Sequence, residues 1–473
     1  MMRCIKDMRR YLPENRTELI TGGLLILGGL ILRLRQLSCF EFKDDQARLV
    51  INGLCALRDM FLVFAGQPGS SGIPNPAGGT ILAGVMALVG TDAWFFAAGF
   101  TLFSCLTVFG VWWALQGILS KQRAWWCTVW VAVSPVLIWN ASNLWGPGLL
   151  IFLTAWFLRG CVQHVEQKRK WAFVQAGTAA ALGAWLFHLS ALFLFPGMIY
   201  AMVRRRPAWK DFAVLGAVGL LLFGPWIYTL IWVWDHKTMP MVFPWSEKIA
   251  AWFIHLAGFG NGTFFLNYFP VAEWPVPVLA TAGISALLAL GLFACGVPRW
   301  SRAGEGDRIA LLLTVSIPVM YLMLGMRLYP HYLMVILLPC IVLASGGFDR
   351  KVQWIGNTAV IAGFLMLAVT VFWQNKVIAG NGHWMEFGPS GNYLEQVAAE
   401  LDNKYYGTIS VQIVAADEKA KKKLDPISTL YIFDRHMQKD KLPCFLVFSW
   451  DEKSQQFRHQ VVFPKKGAAV TAP

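Results

Sequence analysis

Eleven apolar segments separated by short polar loops constrain this chain more than any motif in it. The first runs from Leu19 to Leu37, and the others lie at about 93–119, 124–141, 145–162, 171–186, 188–203, 211–234, 276–297, 308–326, 331–348 and 354–374. A helix needs roughly 20 such residues to cross ~30 Å of hydrocarbon. Inside lipid the backbone must satisfy its own N–H and C=O groups, so segments of this kind are expected as helices. With 56% hydrophobic and 14% charged residues, the chain is too apolar for a soluble globular protein. A polytopic all-α membrane protein with about 11 transmembrane helices is expected.

The formal net charge of +14 would suit a nucleic-acid partner, but the cations gather in short runs between apolar blocks. These are Lys121-Gln-Arg123, Lys168-Arg-Lys170, Arg204-Arg-Arg206, Arg299 to Arg308 and Arg350-Lys351. That distribution is the positive-inside pattern and points to the bilayer, with no nucleic acid. Placing all five runs inside puts the N-terminus in the cytoplasm and the segment after Gln374 outside. The apolar piece Gly78 to Val89 is short for a crossing, and counting it would turn Arg204-Arg-Arg206 outward. It is expected as an interfacial or re-entrant helix. The basic start before a long apolar segment, without a small-residue cleavage site, reads as an uncleaved first helix. Most of the nine Cys lie in apolar blocks as small hydrophobes, which leaves Cys39 and Cys55 as a pair that could bridge outside the membrane.

Two large features then face outward. The first external loop, 38–92, begins with Phe42-Lys43-Asp44-Asp45-Gln46-Ala47-Arg48, continues as an amphipathic helix (Leu49, Leu54, Leu57, Phe61), and turns through the Gly- and Pro-rich stretch from Gly66 to Gly79. The second is the polar tail. It carries a helical stretch (Tyr393 to Lys404) and strand-like runs at Thr408 to Val414, Cys444 to Trp450 and Gln456 to Phe463. Two units are expected: a transmembrane catalytic module, 1–374, and a small C-terminal α/β extracytoplasmic domain, 375–473. A third external segment, Asp235 to Pro275, is rich in aromatics, and the Lys419 to Lys423 run reads as a solvated helix face.

Asp44 and Asp45 stand just past the first membrane helix, where a charge is costly and usually has a task. Either can serve as a helix cap or as a carboxylate base in a cleft, with Lys43 and Arg48 tuning its ionisation. Arg48 and Arg58 lie nearly three turns apart on one helix and are candidates for a phosphate. The external histidines His188, His255, His331 and His383 are scattered, so a metal site is not favoured and no cofactor is expected.

Read together, the motifs form an ordered set. Asp45-Gln-Ala is followed by Ile73-Pro-Asn-Pro-Ala-Gly-Gly, Ser134-Pro135, Asn140-Ala-Ser-Asn-Leu-Trp-Gly-Pro, Phe187-His188-Leu-Ser-Ala and Leu328-Tyr-Pro-His-Tyr-Leu with Pro339 beyond. Over roughly residues 15–375 this order resembles the bacterial branch of the protein mannosyltransferase and aminoarabinose transferase superfamily, integral membrane glycosyltransferases of the GT-C type. The resemblance implies a GT-C fold in a bacterial inner membrane. It implies a polyprenyl-phosphate-linked sugar donor, transfer on the outer face, and an external-loop Asp as base or acceptor-orienting group. Asp45 matches that position best, although the adjacent Asp44 leaves the base open between the two. Arg327, Tyr329, His331 and Tyr332 fall where such enzymes hold the donor headgroup, and Arg48, Arg58, Arg327, His331 and Tyr332 are the candidates for the donor phosphate. Asn75, Asn143, Trp145 and His188 are candidates for the substrate cleft. Some relatives carry an acidic metal-binding pair in the second loop, where this chain has Asn140, Asn143 and Trp145.

The implied activity is transfer of a sugar from the lipid carrier to a lipid, glycan or protein acceptor. Two other readings stay open: a transporter or flippase of lipid-linked sugar, and a polymerase or ligase of surface glycan. A transporter predicts charges buried in mid-span and paired halves with broken helices, whereas the charges here cluster at span ends. A polymerase or ligase carries its large loop late in the chain.

Overall fold

The computed structural model describes residues 13–42, 44–58, 64–68, 73–144, 147–186, 189–232, 275–298, 300–323, 334–350, 353–379, 389–405, 409–424, 426–433, 442–451, 453 and 456–463. In chain order the membrane part comprises α1 (Arg16–Arg35), α2 (Asp44–Arg58), β1 (Ala65–Pro68), β2 (Pro74–Pro76), α3 (Gly78–Ala87), α4 (Ala93–Leu115), α5 (Lys121–Val133) and α6 (Pro135–Trp139). It continues with α7 (Leu150–Val165), α8 (Ala172–Leu186), α9 (Phe195–Arg204), α10 (Trp209–Trp232), α11 (Val276–Gly296), α12 (Glu305–Met323), α13 (Met334–Ser345) and α14 (Gln353–Ala379). The tail holds α15 (Gly391–Tyr405), β3 (Ile409–Ala415), α16 (Glu418–Lys423), α17 (Pro426–Phe433), β4 (Leu442–Asp451) and β5 (Gln456–Val462).

Among the described residues, five helices are long and apolar enough to cross a membrane: α1 with its extension to Cys39, α4, α10, α11 and α14. The bent pair α5–α6 makes six. The expected eleven therefore exceeds what helix length alone supports, and the shortfall has local causes. The segments expected at 145–162 and 188–203 each begin as 3-10 turns, Pro147–Leu149 and Leu189–Leu194, before their helices start. The segment expected at 124–141 is broken at Ser134, and its two halves meet at 54°.

That break follows from one residue. Pro135 has no N–H to give the carbonyl of Val131, and its ring crowds the preceding turn. The carbonyls of Val131 and Ala132 then face an apolar interior, where an unsatisfied backbone group costs several kcal/mol. Arg33, only 1% exposed on α1, supplies the missing donors: Nη2 reaches Val131 O at 2.7 Å and Nη1 bonds Ala132 O. Its Nε donates to Ser104 Oγ on α4 at 3.2 Å. A cation at the C-terminal end of α5 also meets the negative end of that helix dipole. One buried arginine thus fastens α1, α4 and α5 at the break, and its charge answers a structural need there.

The basic runs converge on one face of the bundle. Arg123, at the start of α5, forms a two-point ion pair with Asp307 on α12 and reaches Asp349 at 3.3 Å. Arg204 and Arg308 share Glu305, at 2.9 and 2.7 Å, and Tyr200 donates to the same carboxylate at 2.7 Å. Glu166 accepts the backbone N–H of Glu305 at 3.1 Å, which brings in the loop that carries Lys168-Arg-Lys170. The N-terminal end of α1 joins them through Gln122 and Glu18 at 2.9 Å. The far end of α1 lies with the end of α14, where Arg35 bonds Asn375.

At that opposite end sit the first loop and the tail. β1 and β2 form an antiparallel pair, and Trp226 Nε1 of α10 holds it by donating to Pro74 O at 2.7 Å. Helix α3, ten residues long, packs on α2 and contacts α8. Gly53 and Gly84 allow that packing, since a Cβ on Gly53 would come within 2.6 Å of Gly84 N. The stripe that α2 buries is Gln46, Ala47, Val50 and Gly53. Leu57, expected on it, is 38% exposed, because the neighbour that covers α2 approaches at Gly53. Phe61, Lys43 and the segment 235–275, but for Pro275, lie outside the described residues. Cys39 is buried and Cys55 exposed, and no disulfide joins them.

In the tail, β3 and β4 are parallel, β5 is antiparallel to β4, and the sheet shares one core with the first loop. Phe40, Phe42, Ala47 and Val50 pack in the same cluster as Leu394, Val397, Leu446 and Phe448. The junction is fixed by hydrogen bonds from Gly391 N to Phe40 O at 3.0 Å and from Asn392 Nδ2 to Ser38 O at 3.2 Å. The Tyr431 ring lies tilted against Phe42, with ring centres 5.4 Å apart, and its hydroxyl donates to Thr91 O. Within the tail, burial pushes the Tyr393 phenol up to about 12, with Glu400 adding to the shift. An unfolded Tyr titrates near ~10. Its folded value is raised, so its contribution is complete below pH ~10 and is lost as pH rises through about 12. Tyr393→Phe should remove that alkaline loss in thermal unfolding followed between about pH 9 and 12, and should lower stability modestly at neutral pH, where the hydroxyl's contacts with Phe457 O at 3.4 Å and His459 Nδ1 at 3.1 Å are lost.

Candidate functional site

Helix α2 opens on the acidic pair. Carboxylates in the first turn lie at the positive end of the helix dipole, which favours helix formation there whatever their chemistry. Asp45 is half-buried and Gln46 is 2% exposed, with Phe42 and Ala47 packed under them. Buried Gln46 needs a partner. Its Nε2 donates to Asn143 Oδ1 at 3.1 Å, across 97 positions of sequence. Asn143 Nδ2 reaches Asn140 Oδ1 at 3.5 Å, and Asn140 Nδ2 donates to Val136 O at 2.8 Å, inside α6. A chain of side-chain amides therefore ties the residue beside Asp45 to the helix created by the Pro135 break.

The second motif meets the others through small residues. A Cβ on Gly78 would come within 2.4 Å of Trp185 O and 2.6 Å of its ring, so only glycine lets Ile73-Pro-Asn-Pro-Ala-Gly-Gly abut the outer end of α8. Trp185 and Leu186 directly precede Phe187-His188 in the chain. Asn75 is half-buried in β2, beside Gly66 of β1. Motifs scattered between positions 45 and 186 are thus drawn toward one end of the bundle, the end away from the basic runs, where the tail also packs.

The structure brings Asp45, Gln46 and Asn143 together and sets Asn75 in the same loop assembly. Asp44 begins α2, and Arg48 and Arg58 are both on that helix, with Arg48 exposed. Ten residues at 3.6 per turn put these two positions about 80° apart around the helix axis. The side chains of Asp44 and Arg58, and Trp145, His188, Arg327, Tyr329, His331 and Tyr332 entirely, lie outside the described residues. No three His, Cys, Asp or Glu converge among the described residues. Sequence reasoning quoted Gln46 only as part of a motif. A buried amide directly beside a candidate carboxylate was the available signal, but its partner follows only from the fold.

No protein-family model matches the sequence, and no curated protein matches it. In fold, the chain is similar to ArnT from Cupriavidus metallidurans, solved in the apo state, with a TM-score of 0.56 over 88% of this chain and 84% of that one. The two are 12% identical. The likeness covers most of the chain, and it agrees with the GT-C fold that the ordered motifs imply.

Proposed function

We propose that the chain is a membrane glycosyltransferase that moves a sugar from a polyprenyl-phosphate-linked donor to a lipid, glycan or protein acceptor on the extracytoplasmic face. The observation that carries this reading is the junction of Asp45-Gln46 with Asn143, at the end of the bundle opposite the basic runs, in a chain with an ArnT-like fold. By the positive-inside rule the basic face is cytoplasmic, which places the N-terminus inside and the tail outside.

In this reading Asp45 takes the proton from the acceptor hydroxyl or amine as that atom bonds to the anomeric carbon. The carbon–oxygen bond to the phosphate breaks, and polyprenyl phosphate leaves with its electron pair. The leaving group is already good, so the protein has mainly to position the partners and accept one proton. Arg48, Arg58, Arg327, His331 and Tyr332 are the proposed partners of the phosphate, and Asn75, Asn143, Trp145 and His188 are the proposed residues of the substrate cleft. No metal is needed in this scheme.

Purified protein given a donor labelled in the sugar should move the label into an acceptor fraction from cell-envelope lipids or glycans. A donor that stays intact with every sugar offered would remove the transferase reading and favour a transporter. Gln46 and Asn143 act by positioning. Gln46→Leu leaves the Asn143 amide without its donor, and roughly 10- to 100-fold should be lost from kcat with KM little changed, because small displacements of a positioned base are costly. A rise in KM alone would instead place Gln46 against the substrate.

A further inference from the structure

On the basic face, most runs are met by acids. Arg123 has Asp307 and Asp349, Arg204 and Arg308 have Glu305, and Lys121 has Glu14. The run Lys168-Arg169-Lys170 differs: among the described residues no carboxylate pairs with it or with the neighbouring Arg159 of α7. Glu166, the acid closest in sequence, is engaged with the backbone N–H of Glu305. With the Gln163 amide oxygen turned toward them, Arg159 Nε and Arg169 Nη1 donate to that single atom at 3.1 and 3.3 Å. The two guanidiniums are therefore held side by side on a neutral amide oxygen, with no carboxylate paired to either among the described residues.

The surroundings are built to hold them so. Arg159 Nη1 donates to Trp113 O at 2.8 Å, and its guanidinium lies 5.4 Å from the ring centres of both Trp113 and Trp156. A Cβ on Gly117 would crowd Arg159 Cζ at 3.3 Å. The turn carrying the run has Lys168 at φ 53° and Trp171 at φ 69°, the positive-φ residues other than glycine among those described. Such backbone is disfavoured for residues with side chains and tends to mark sites with a task. The site opens sideways. Trp113 is 56% exposed and Trp171 44%, and above Trp113 on α4 run Phe109, Leu106 and Leu102, each more than half exposed. These lie at helical spacing on one face, so an apolar track ends at the guanidiniums.

We propose that Arg159, Arg169 and the Lys168–Lys170 turn bind the phosphate of an anionic phospholipid headgroup in the leaflet that bathes the basic face, with an acyl chain along the α4 track. The apolar track favours a lipid over a free anion, because soluble phosphate gains nothing from it. Tryptophans at headgroup level and clustered cations between helices are the expected surroundings of such a lipid. This site is independent of the proposed transfer chemistry.

The test is native mass spectrometry of the full chain in neutral detergent with added phosphatidylglycerol or phosphatidylcholine. Wild type should retain phosphatidylglycerol in preference. Arg169→Gln and Lys168→Gln alter exposed side chains, so folding should be kept, and each should weaken phosphatidylglycerol retention by about fivefold. Phosphatidylcholine retention should not move, and an unchanged melting temperature verifies the fold. Equal retention of both lipids by wild type, equal phosphatidylglycerol retention by the variants, or displacement of the lipid by equimolar inorganic phosphate would each overturn the proposal.

Discussion

Asp45→Asn should lower sugar transfer by about 10²- to 10⁴-fold, the usual contribution of a positioned general base. The expected fold of the variant makes the result interpretable. Losing one first-turn carboxylate costs about 0.3–1 kcal/mol of helix-dipole interaction, and the hydrogen bond of neighbouring Gln46 to Asn143 is untouched by the change. The melting temperature should therefore stay within a degree or two of wild type. Asp44→Asn, made in parallel, should retain most activity. The opposite pattern would move the base to Asp44, and full activity in both would make the pair a helix cap. Rates at saturating donor, measured with equal amounts of folded protein, separate these cases.

The largest stability effect is expected at Arg123. Its side chain is 6% exposed, and it bonds Asp307 at two points, Asp349 at 3.3 Å, Ser345 Oγ at 3.3 Å and Val342 O at 2.9 Å. Arg123→Met removes the charge and leaves Asp307, 12% exposed, without its partner. Breaking a buried pair from one side typically costs about 3–5 kcal/mol. The variant should lose most of its monodisperse yield in detergent and melt several degrees lower. Arg123→Met with Asp307→Asn should recover part of that loss, because the stranded carboxylate is then neutral. If the double variant is no better than the single, the loss comes from packing and hydrogen bonds at Ser345 and Val342, and the ion pair is not its source.

Several of the membrane helices were legible because their signal is local. An apolar run and its flanking cations are contiguous in sequence, so the starts of α8, α11 and α14 fall within one residue of expectation, at 172, 276 and 353. The tail strands and α15 were readable for the same reason. Features that depend on distant partners were not. Pro135 is visible in the sequence, but nothing local tells that Arg33, about a hundred positions away, fills the carbonyls it frees. The stripe buried by α2 was misjudged at Leu57, because it is set by where α3 crosses at Gly53 and Gly84. At the candidate site, the order of the motifs carried a family resemblance and, through it, the candidate residues. The specific link from Gln46 to Asn143 needed the folded chain.

Two features lean toward the transporter reading, a buried arginine within a span and the broken pair α5–α6, but they answer one another: Arg33 is committed to the backbone carbonyls at that break and to Ser104. The two readings differ most directly in the fate of the donor. The decisive measurement uses proteoliposomes carrying a polyprenyl-phosphate sugar labelled in both sugar and lipid, with acceptor lipid present, and follows both labels over time. The account requires one polyprenyl phosphate to appear for each sugar transferred, with both signals lost in Asp45→Asn. Intact donor reaching the opposite leaflet, with no polyprenyl phosphate released, would contradict it.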